Sequence, residues 1–494
     1  MANESAQLKN KTVKGFVWKF AERMSAQLVS LVVSIILARL LTPDDYAVVG
    51  IVAIFFAFAN AFVSGGFNTA LIQKKDSDEE DFSSVLYISL TTAAILYLVI
   101  FFCAPLIANV YEQEILVPVL RIMGLTLFVN AFKSIVGAYI SSRLLFRKYF
   151  ICTILATIIS AAIGISMAYS GYGPWALVAQ QMSMAIVSTI SLFLTTRIKL
   201  VLRFNAKKAK GLFRYSWKIL VATQISILYE EINPLVIGLK YSGADLSFYS
   251  KGKSFPGIAN STIGDTLSAV LFPAMSKLQD DKSALLNCTR RFMSLGSYII
   301  FPVMIGFLAV AENFVIVLLT EKWLPVTIYI QAFCIVYMFN IIQNGNLQVY
   351  RAIGRSDLIL KLEIIKKSAY FVVILLFVLL TNTPQYLALA CIVNTFIATI
   401  VNTAPNCKLI NYRYRLQIAD LLPNLIIAII MGVAVYFIGL IKMHVILSFV
   451  VQVISGVAIY VVLSVITQNK NYKYLLNMIK SFLKRKPKGE AIDV

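Results

Sequence analysis

The chain is poor in the residues from which most catalytic and metal sites are built. It contains one histidine, His444, and only 24 Asp and Glu residues among 494. Its six cysteines are scattered, mostly inside apolar stretches, without the paired spacing of zinc or disulfide motifs. It has no Gly-x4-Gly-Lys-Ser/Thr phosphate loop. We therefore expect no catalytic residues, no metal site, no cofactor and no built-in ATPase, and the protein is predicted not to be an enzyme.

Charge is also scarce. Only 14% of the residues are charged and 59% are hydrophobic, whereas a soluble domain has about 25% charged residues. The net charge of +21 would suit a partner such as nucleic acid, but the Lys and Arg residues lie between apolar runs and in the C-terminal tail. This distribution is typical of the positive-inside bias of membrane proteins. The composition therefore predicts an all-α polytopic membrane protein embedded in the lipid bilayer. It predicts no nucleic-acid partner.

Fourteen apolar runs of about 20 residues are candidate transmembrane helices. The runs are 16–40, 46–70, 84–109, 116–140, 149–170, 174–196, 213–238, 246–272, 292–318, 324–348, 359–380, 385–404, 418–439 and 444–466. With a cytoplasmic N-terminus, the outside loops hold only Lys240, Lys322 and Lys442, and the inside segments are rich in Lys and Arg. This asymmetry predicts about fourteen spans with both termini cytoplasmic. The polar first residues show no cleavage site, so no cleaved signal peptide is expected.

Short motifs recur in the same order about 200 residues apart, which indicates an internal repeat. The paired segments are Trp18-Lys19 and Trp217-Lys218, Ala70–Asp76 and Ala274–Asp280, and Arg143–Arg147 and Arg351–Arg355. Six spans separate the partners, so both copies have the same orientation and a pseudo-twofold axis along the membrane normal. We predict a six-helix bundle in 1–204, a second in 205–410, and two extra spans with a basic cytoplasmic tail in 411–494.

Polar residues concentrate in the first two spans of each half. On the first span, Lys19, Glu22, Arg23 and Gln27 fall on one helix face, opposite a face suited to lipid. Charged residues inside a span are costly unless they face protein or water. The pattern predicts a polar cavity between the halves, lined mainly by the first two helices of each.

Ten residues are candidates for substrate binding in this cavity: Lys19, Arg23, Gln27, Asn60, Lys133, Lys218, Tyr229, Lys253, Asn260 and Asn344. Three acidic residues are candidates for ion coupling or for balancing nearby positive charge: Glu22, Glu230 and Asp265. Structural roles stay open for all of them. A lysine beside a tryptophan can anchor a helix at the interface, buried charges can pair, and amides can link helices.

Several motifs resemble a known family. They are Ala38–Tyr46 (ARLLTPDDY), Asn68–Asp76 (NTALIQKKD), Gly171–Gln180 (GYGPWALVAQ), Leu271–Asp280 (LFPAMSKLQD), Lys322–Pro325 (KWLP) and Ala352–Asp357 (AIGRSD). Together they are similar to the polysaccharide-transporter (Wzx/TuaB-like) branch of the multidrug/oligosaccharidyl-lipid/polysaccharide exporter superfamily. The resemblance runs from about residue 10 to about residue 410. One departure is Ala47, where the related pattern usually has glycine.

The resemblance implies a flippase of the bacterial plasma membrane. Its substrate would be a polyprenyl-diphosphate-linked oligosaccharide, moved from the cytoplasmic to the outer leaflet by alternating access. A polymerase and other polysaccharide-assembly proteins are candidate partners. The quoted motifs look like fold and loop signatures, so the candidate cavity residues rest on the helix pattern alone.

Two other functions stay open from the sequence. An ion-coupled exporter of small cationic compounds would need an acidic cavity, whereas the candidates here include more Lys and Arg than Asp and Glu. A membrane-embedded glycosyltransferase would need a large outer loop with catalytic carboxylates, and the predicted outer loops are short.

Overall fold

The structure is a computed structural model, and it describes residues 24–64, 66–73, 78–143, 145–196, 198, 201 and 203–484. The described chain is helical throughout its apolar runs. The helices of the first part are α1 Met24–Leu40, α2 Pro43–Ser64, α3 Phe67–Gln73, α4 Glu79–Val110, α5 Leu116–Gly124, α6 Thr126–Ser142, α7 Phe146–Tyr169, α8 Pro174–Thr196 and α9 Ala206–Lys240. Those that follow are α10 Gly243–Lys277, α11 Lys282–Phe314, α12 Val326–Ala352, α13 Ser356–Leu380, α14 Gln385–Thr403, α15 Asn406–Leu409, α16 Tyr414–Gly439, α17 Val445–Ile466 and α18 Lys470–Lys484.

Among the described residues, ten helices are long and apolar enough to cross a membrane. They are α2, α4, the α5–α6 pair counted as one span, α7, α8, α11, α12, α14, α16 and α17. The all-α, multi-pass architecture is thus confirmed. The described parts of the other four predicted runs lie in α1, α9, α10 and α13. Each of the last three carries more charged residues than any of the ten, and the count of fourteen spans stays a prediction.

The chain forms two compact units, 1–250 and 251–494, and the division falls within α10. In the first unit α7 packs along α8, α6 packs on α8, and α2 packs on α9. In the second, α11 packs on α12 and α16, α12 packs on α14, and α16 packs on α17. The boundaries at 204 and 410 inferred from the repeat stay a prediction.

The same local motif begins α2 and α10. Thr42 and Asp45 form a capping box, in which the Thr42 backbone N–H donates to Asp45 Oδ2 at 2.8 Å and the Asp45 N–H donates to Thr42 Oγ1 at 3.2 Å. Ser242 and Asp245 repeat both bonds at 3.2 and 3.1 Å. Each box satisfies backbone donors that an α-helix leaves unpaired at its start. The recurrence 200 residues apart supports the internal repeat.

Candidate functional site: a polar cavity in the first unit

A cavity of about 370 Å³ lies inside the first unit, between α1, α2, α6, α7 and α8. Its polar lining comes from every one of these helices: Ser30, Asn60, Asn130, Lys133, Thr157, Ser160, Gln180 and Gln181. Apolar side chains, among them Phe56, Met123 and Met184, complete the lining. Unpaired polar groups are expensive in hydrocarbon, so a polar cavity within a transmembrane bundle indicates a binding or transport function.

An asparagine pair links α2 and α6 in the cavity lining. The Asn130 side-chain amide donates to Asn60 Oδ1 at 2.8 Å, and Asn60 Nδ2 donates to the Phe56 carbonyl oxygen one turn earlier at 2.8 Å. Asn60 thereby has its donor and acceptor sides fixed by protein groups. The pair holds two amides at the cavity surface in a defined orientation.

Lys133 lies one turn after Asn130 on α6 and also lines the cavity. It is half-buried and lies nine residues before the end of α6. An ammonium group at this depth carries three hydrogen-bond donors and a positive charge, which suit a phosphate or carboxylate. Asn60 and Lys133 were predicted from the sequence for a cavity between the halves, and both line this cavity within the first unit. A cavity between the halves stays a prediction.

The hydroxyl groups of α7 are turned inward but bonded to their own helix. Thr157 Oγ1 donates to the Thr153 carbonyl oxygen at 2.8 Å, and Ser160 Oγ donates to the Thr157 carbonyl oxygen at 3.0 Å. Both hydroxyls also contact the sulfur of Met184 on α8, at 3.8 and 3.6 Å. Their donors are therefore satisfied, whereas hydroxyl oxygens can still accept a bond from a ligand.

Gln180 and Gln181 supply the lining from α8. In the part of the chain that the structure describes, neither side-chain amide makes a hydrogen bond to protein. Gly164 on α7 allows α8 to approach closely here, because a Cβ at that position would lie 2.8 Å from Gln180 Cβ. We call Asn60, Asn130, Gln180 and Gln181 the amide wall. Two of its four amides are available to a ligand.

Three other predicted residues, Lys253, Asn260 and Asn344, lie on α10 and α12 of the second unit, and these two helices approach each other closely. Glycines permit the approach, since a Cβ at Gly252 would lie 2.3 Å from Tyr329 Cβ. Tyr337 Oη contacts the Lys253 carbonyl oxygen at 3.5 Å, and an added Cβ at Gly264 would lie 4.0 Å from Asn344 Nδ2. Asn260 lies one turn before Gly264 and is half-buried, as are Lys253 and Asn344.

In the described structure, the remaining predicted residues line neither the cavity of the first unit nor the region where α10 approaches α12. Lys19, Glu22 and Arg23 lie outside the described residues, as do the side chains of Lys218 and Asp265. Gln27 is half-buried on α1, one turn before the cavity residue Ser30. On α9, Tyr229 is half-buried and Glu230 is exposed. Cavity and coupling roles for these residues stay predictions.

Sequence reasoning missed the contribution of α7 and α8. The run 149–170 is almost wholly apolar, and Thr157 and Ser160 resemble hydroxyls that bond only to their own helix. Gln180 and Gln181 follow one another in the run 174–196, and two adjacent amides within a span are a signal that points to a polar surface. Asn130 was visible as a polar residue in its span but had no predicted partner.

Within the described residues, no group of three or more His, Cys, Asp or Glu side chains could hold a metal ion.

The polar network of the second unit is mainly structural. Asn346 and Gln417 exchange amide hydrogen bonds at 3.1 and 3.2 Å, and Asn406 Nδ2 donates to Asn346 Oδ1 at 2.8 Å. All three residues are buried. The amides of this cluster bond one another and link α12 to α15 and α16.

The sequence matches the family model described as "Polysaccharide biosynthesis protein" over residues 36–328. One relative is the succinoglycan biosynthesis transport protein ExoT of Rhizobium meliloti (strain 1021), 25% identical over 58% of this chain and 58% of its own length. Another is the teichuronic acid biosynthesis protein TuaB of Bacillus subtilis (strain 168), 22% identical over 70% of this chain and 72% of its own. The match to ExoT thus spans little more than half of that protein.

Solved structures share the fold. A structure of the lipid II flippase MurJ in an inward closed conformation superposes with a TM-score of 0.74 at 16% identity, covering 93% of this chain and all of that one. An inward-facing multidrug resistance MATE family transporter of the MOP superfamily gives a TM-score of 0.61 at 15% identity, over 78% of this chain and 94% of its own. At these identities the likeness shows the fold alone.

The family model matches more than half of the chain, and the chain belongs to the polysaccharide biosynthesis protein family. Within it, the chain is of the Wzx/TuaB-like kind, with the fold of the MOP superfamily. It is a multi-pass membrane protein.

Proposed function

We propose that this protein is a flippase that moves a polyprenyl-diphosphate-linked oligosaccharide from the cytoplasmic to the outer leaflet of the plasma membrane by alternating access. The oligosaccharide would be the repeat unit of a bacterial polysaccharide. The observation that carries the proposal is the cavity of the first unit, where Lys133 lies beside the amide wall inside a bundle of membrane-spanning helices. The proposal includes fourteen spans with both termini in the cytoplasm.

The chemistry of the cavity suits the two polar parts of such a substrate. A diphosphate and a glycan are both strongly hydrated, so neither crosses hydrocarbon unaided. The Lys133 ammonium offers charge-assisted hydrogen bonds to phosphate oxygens. The amides of Gln180 and Gln181 each offer donors and an acceptor, which match the dual character of sugar hydroxyls. The cavity thus provides polar partners that lipid lacks.

The charge of the lining favours a flippase over an exporter of small cations. A site for cationic compounds needs negative groups to offset their desolvation. Of the described residues that line the cavity, Lys133 is charged and none is Asp or Glu. A role in ion coupling for Glu22, Glu230 and Asp265, and a role in substrate binding for Lys19 and Arg23, remain part of the proposal.

The test is transport in sealed vesicles containing the purified protein. The probe is a polyprenyl diphosphate that carries a fluorescent disaccharide, and inward or outward movement is read by quenching with dithionite, which does not cross the membrane. Lys133→Gln is expected to slow the movement by about tenfold or more, since a hydrogen bond to a charged group contributes about 1.5–3 kcal/mol. Lys133→Arg should retain most of the rate because it keeps the charge.

Lys207→Gln provides the matched control, because Lys207 is exposed at the start of α9, outside the cavity. Size-exclusion profiles establish that each variant is folded. If the unmodified protein fails to accelerate movement of the probe, or if Lys133→Gln moves it at the full rate, the proposal is wrong.

A further inference from the structure

The last helix of the described chain, α18 (Lys470–Lys484), is too short to cross a membrane. Its 15 residues span about 22 Å at 1.5 Å per residue, whereas the hydrocarbon core is about 30 Å thick. It starts four residues after Ile466, where the last apolar span ends. The helix must therefore begin near the membrane surface and either lie along it or leave it.

The turn between α17 and α18 is well defined by hydrogen bonds. Gln468 adopts a left-handed backbone with φ of 47°, and the Asn469 N–H bonds back to the Ser464 carbonyl oxygen at 3.0 Å, which ends α17. Asn469 then caps α18, since its Oδ1 accepts from the Asn471 N–H at 2.9 Å. The chain direction thus changes at a fixed corner.

The first turn of α18 is attached to the membrane-spanning helices. Asn471 Nδ2 donates to Ser294 Oγ on α11 at 2.9 Å, and Asn469 Nδ2 donates to Asn424 Oδ1 on α16 at 3.0 Å. The Arg291 guanidinium lies 4.1 Å from the centre of the Tyr474 ring, a distance at which a cation and an aromatic ring attract. These contacts hold the start of α18 against α11 and α16, about three turns after the first residue of each helix.

The sequence of α18 has two distinct faces. Apolar residues recur at 472, 475, 476, 479, 482 and 483, which at ~100° per residue occupy one face about 120° wide. Lysines occur at 470, 473, 480 and 484, all on the opposite face, and the helix contains no Asp or Glu. Lys473 and Asn477 are exposed. Such a helix, with a basic polar face, is typical of segments that lie in a membrane interface.

We propose that α18 lies in the membrane interface and binds the anionic lipid surface on the side of the membrane where the chain ends. Its apolar face meets the acyl-chain boundary, and its lysine-bearing face meets lipid phosphates. Each lysine near an anionic leaflet adds an attraction that falls off within a Debye length. The loop charges predict that this side is the cytoplasmic one.

Hydrogen exchange of the full-length protein in lipid nanodiscs tests this. In discs with equal amounts of phosphatidylglycerol and phosphatidylcholine, the amides of residues 470–484 are expected to exchange about tenfold more slowly than in discs of phosphatidylcholine alone, because three lysines contribute to the attraction. High salt should remove the difference, because it screens the charges.

The variant Lys473→Gln, Lys480→Gln, Lys484→Gln should lose the dependence on phosphatidylglycerol. The control variant Lys207→Gln, Lys210→Gln, Lys282→Gln removes three exposed lysines elsewhere and should keep it. Equal exchange in the two kinds of disc would overturn the proposal, as would a lipid dependence that persists in the first variant. Protection that is independent of phosphatidylglycerol but lost in Leu476→Ser would mean apolar docking only and would also overturn it.

Discussion

Asn130 donates a 2.8 Å hydrogen bond to Asn60, seventy residues earlier in the chain. The bond joins α2 and α6 where both line the cavity. Hydrogen bonds between membrane helices contribute only about 0.6 kcal/mol on average. The pair therefore orients polar groups at the cavity surface more than it stabilises the bundle.

Replacement of either asparagine by alanine should separate the effect on cavity orientation from the effect on bundle stability. We expect Asn60→Ala and Asn130→Ala each to slow transport of the lipid-linked probe several-fold, while the thermal midpoint falls little, because the lost bond is worth about 0.6 kcal/mol. The double variant should be no slower than the slower single one, since both act through one bond. A loss of folded protein without a change in rate per folded molecule would assign the pair a purely structural role.

Two glutamines in different surroundings, the exposed Gln181 and the buried Gln452, should respond differently to substitution. Gln181 lines the cavity and has no hydrogen bond to protein in the described chain, so Gln181→Ala should reduce transport and leave stability unchanged. Gln452 on α17 accepts from Asn313 at 2.7 Å and donates to the Val435 carbonyl oxygen at 3.0 Å. Gln452→Ala should lower the thermal midpoint, since buried partners left unpaired cost about 1–3 kcal/mol. Thermal unfolding and transport assays on both variants provide the check.

Asn344 and Asn346 form a second matched pair, two residues apart on α12. Asn346 is fully buried in the cluster with Gln417 and Asn406, so Asn346→Ala should destabilise the protein by about 1–3 kcal/mol. Asn344 is half-buried near α10, among the predicted binding residues. Asn344→Ala should leave stability nearly unchanged and lower transport. Equal thermal shifts for the two variants would place both in the structural network.

An ion cluster holds the segment 203–210, at the start of α9, against the start of α4. Lys208 Nζ lies 2.5 Å from Asp78 and 2.6 Å from Glu80, while Asn205 N–H donates to Ser84 Oγ at 3.0 Å. The hydrogen bond from Lys208 lowers the pKa of Asp78 to about 2, and the two carboxylates raise the pKa of Lys208. All three groups stay charged at physiological pH.

The pH dependence of this cluster follows from the direction of the shifts. The contribution of Asp78 is present above its ordinary pKa of 3.8 and is lost as the pH falls toward 2. That of Lys208 is present below 10.5 and is lost as the pH rises further. We expect tryptic cleavage after Arg203 to keep its protection between about pH 6 and 9, because neither group titrates there. Asp78→Asn with Glu80→Gln should speed this cleavage, and Glu79→Gln, an exposed neighbour, should not. Unchanged cleavage in the double variant would mean that the cluster does not hold the segment.

The constraints of the lipid bilayer allow much of this fold to be predicted from the sequence. Spans must be about 20 apolar residues long, and the predicted runs are mainly helical where the structure describes them. Short sequence echoes predict a repeat, and Asp45 and Asp245 each close a capping box at the start of a helix, α2 and α10. Local chemistry of this kind is encoded within a few residues.

The candidate site was harder to predict from the sequence, because its residues come from separate helices that meet only in the folded protein. Asn60 and Lys133 stood out as polar residues in apolar runs, and both line the cavity. Thr157 and Ser160 did not, since hydroxyls inside a span often bond only to their own helix, as these also do. Their convergence with Gln180 requires the close packing of α7 and α8 at Gly164, which a helix pattern does not contain.

The amide wall has a consequence for selectivity. A primary amide presents a donor on one side and an acceptor on the other, and a half-turn of its terminal torsion exchanges them. Gln180 and Gln181, which no protein group holds in one orientation within the described chain, can therefore meet an axial or an equatorial hydroxyl equally well. For the proposed substrate, this makes the first unit tolerant of sugar stereochemistry, so that a change of repeat unit during the divergence of surface polysaccharides need not be matched by a change in these residues.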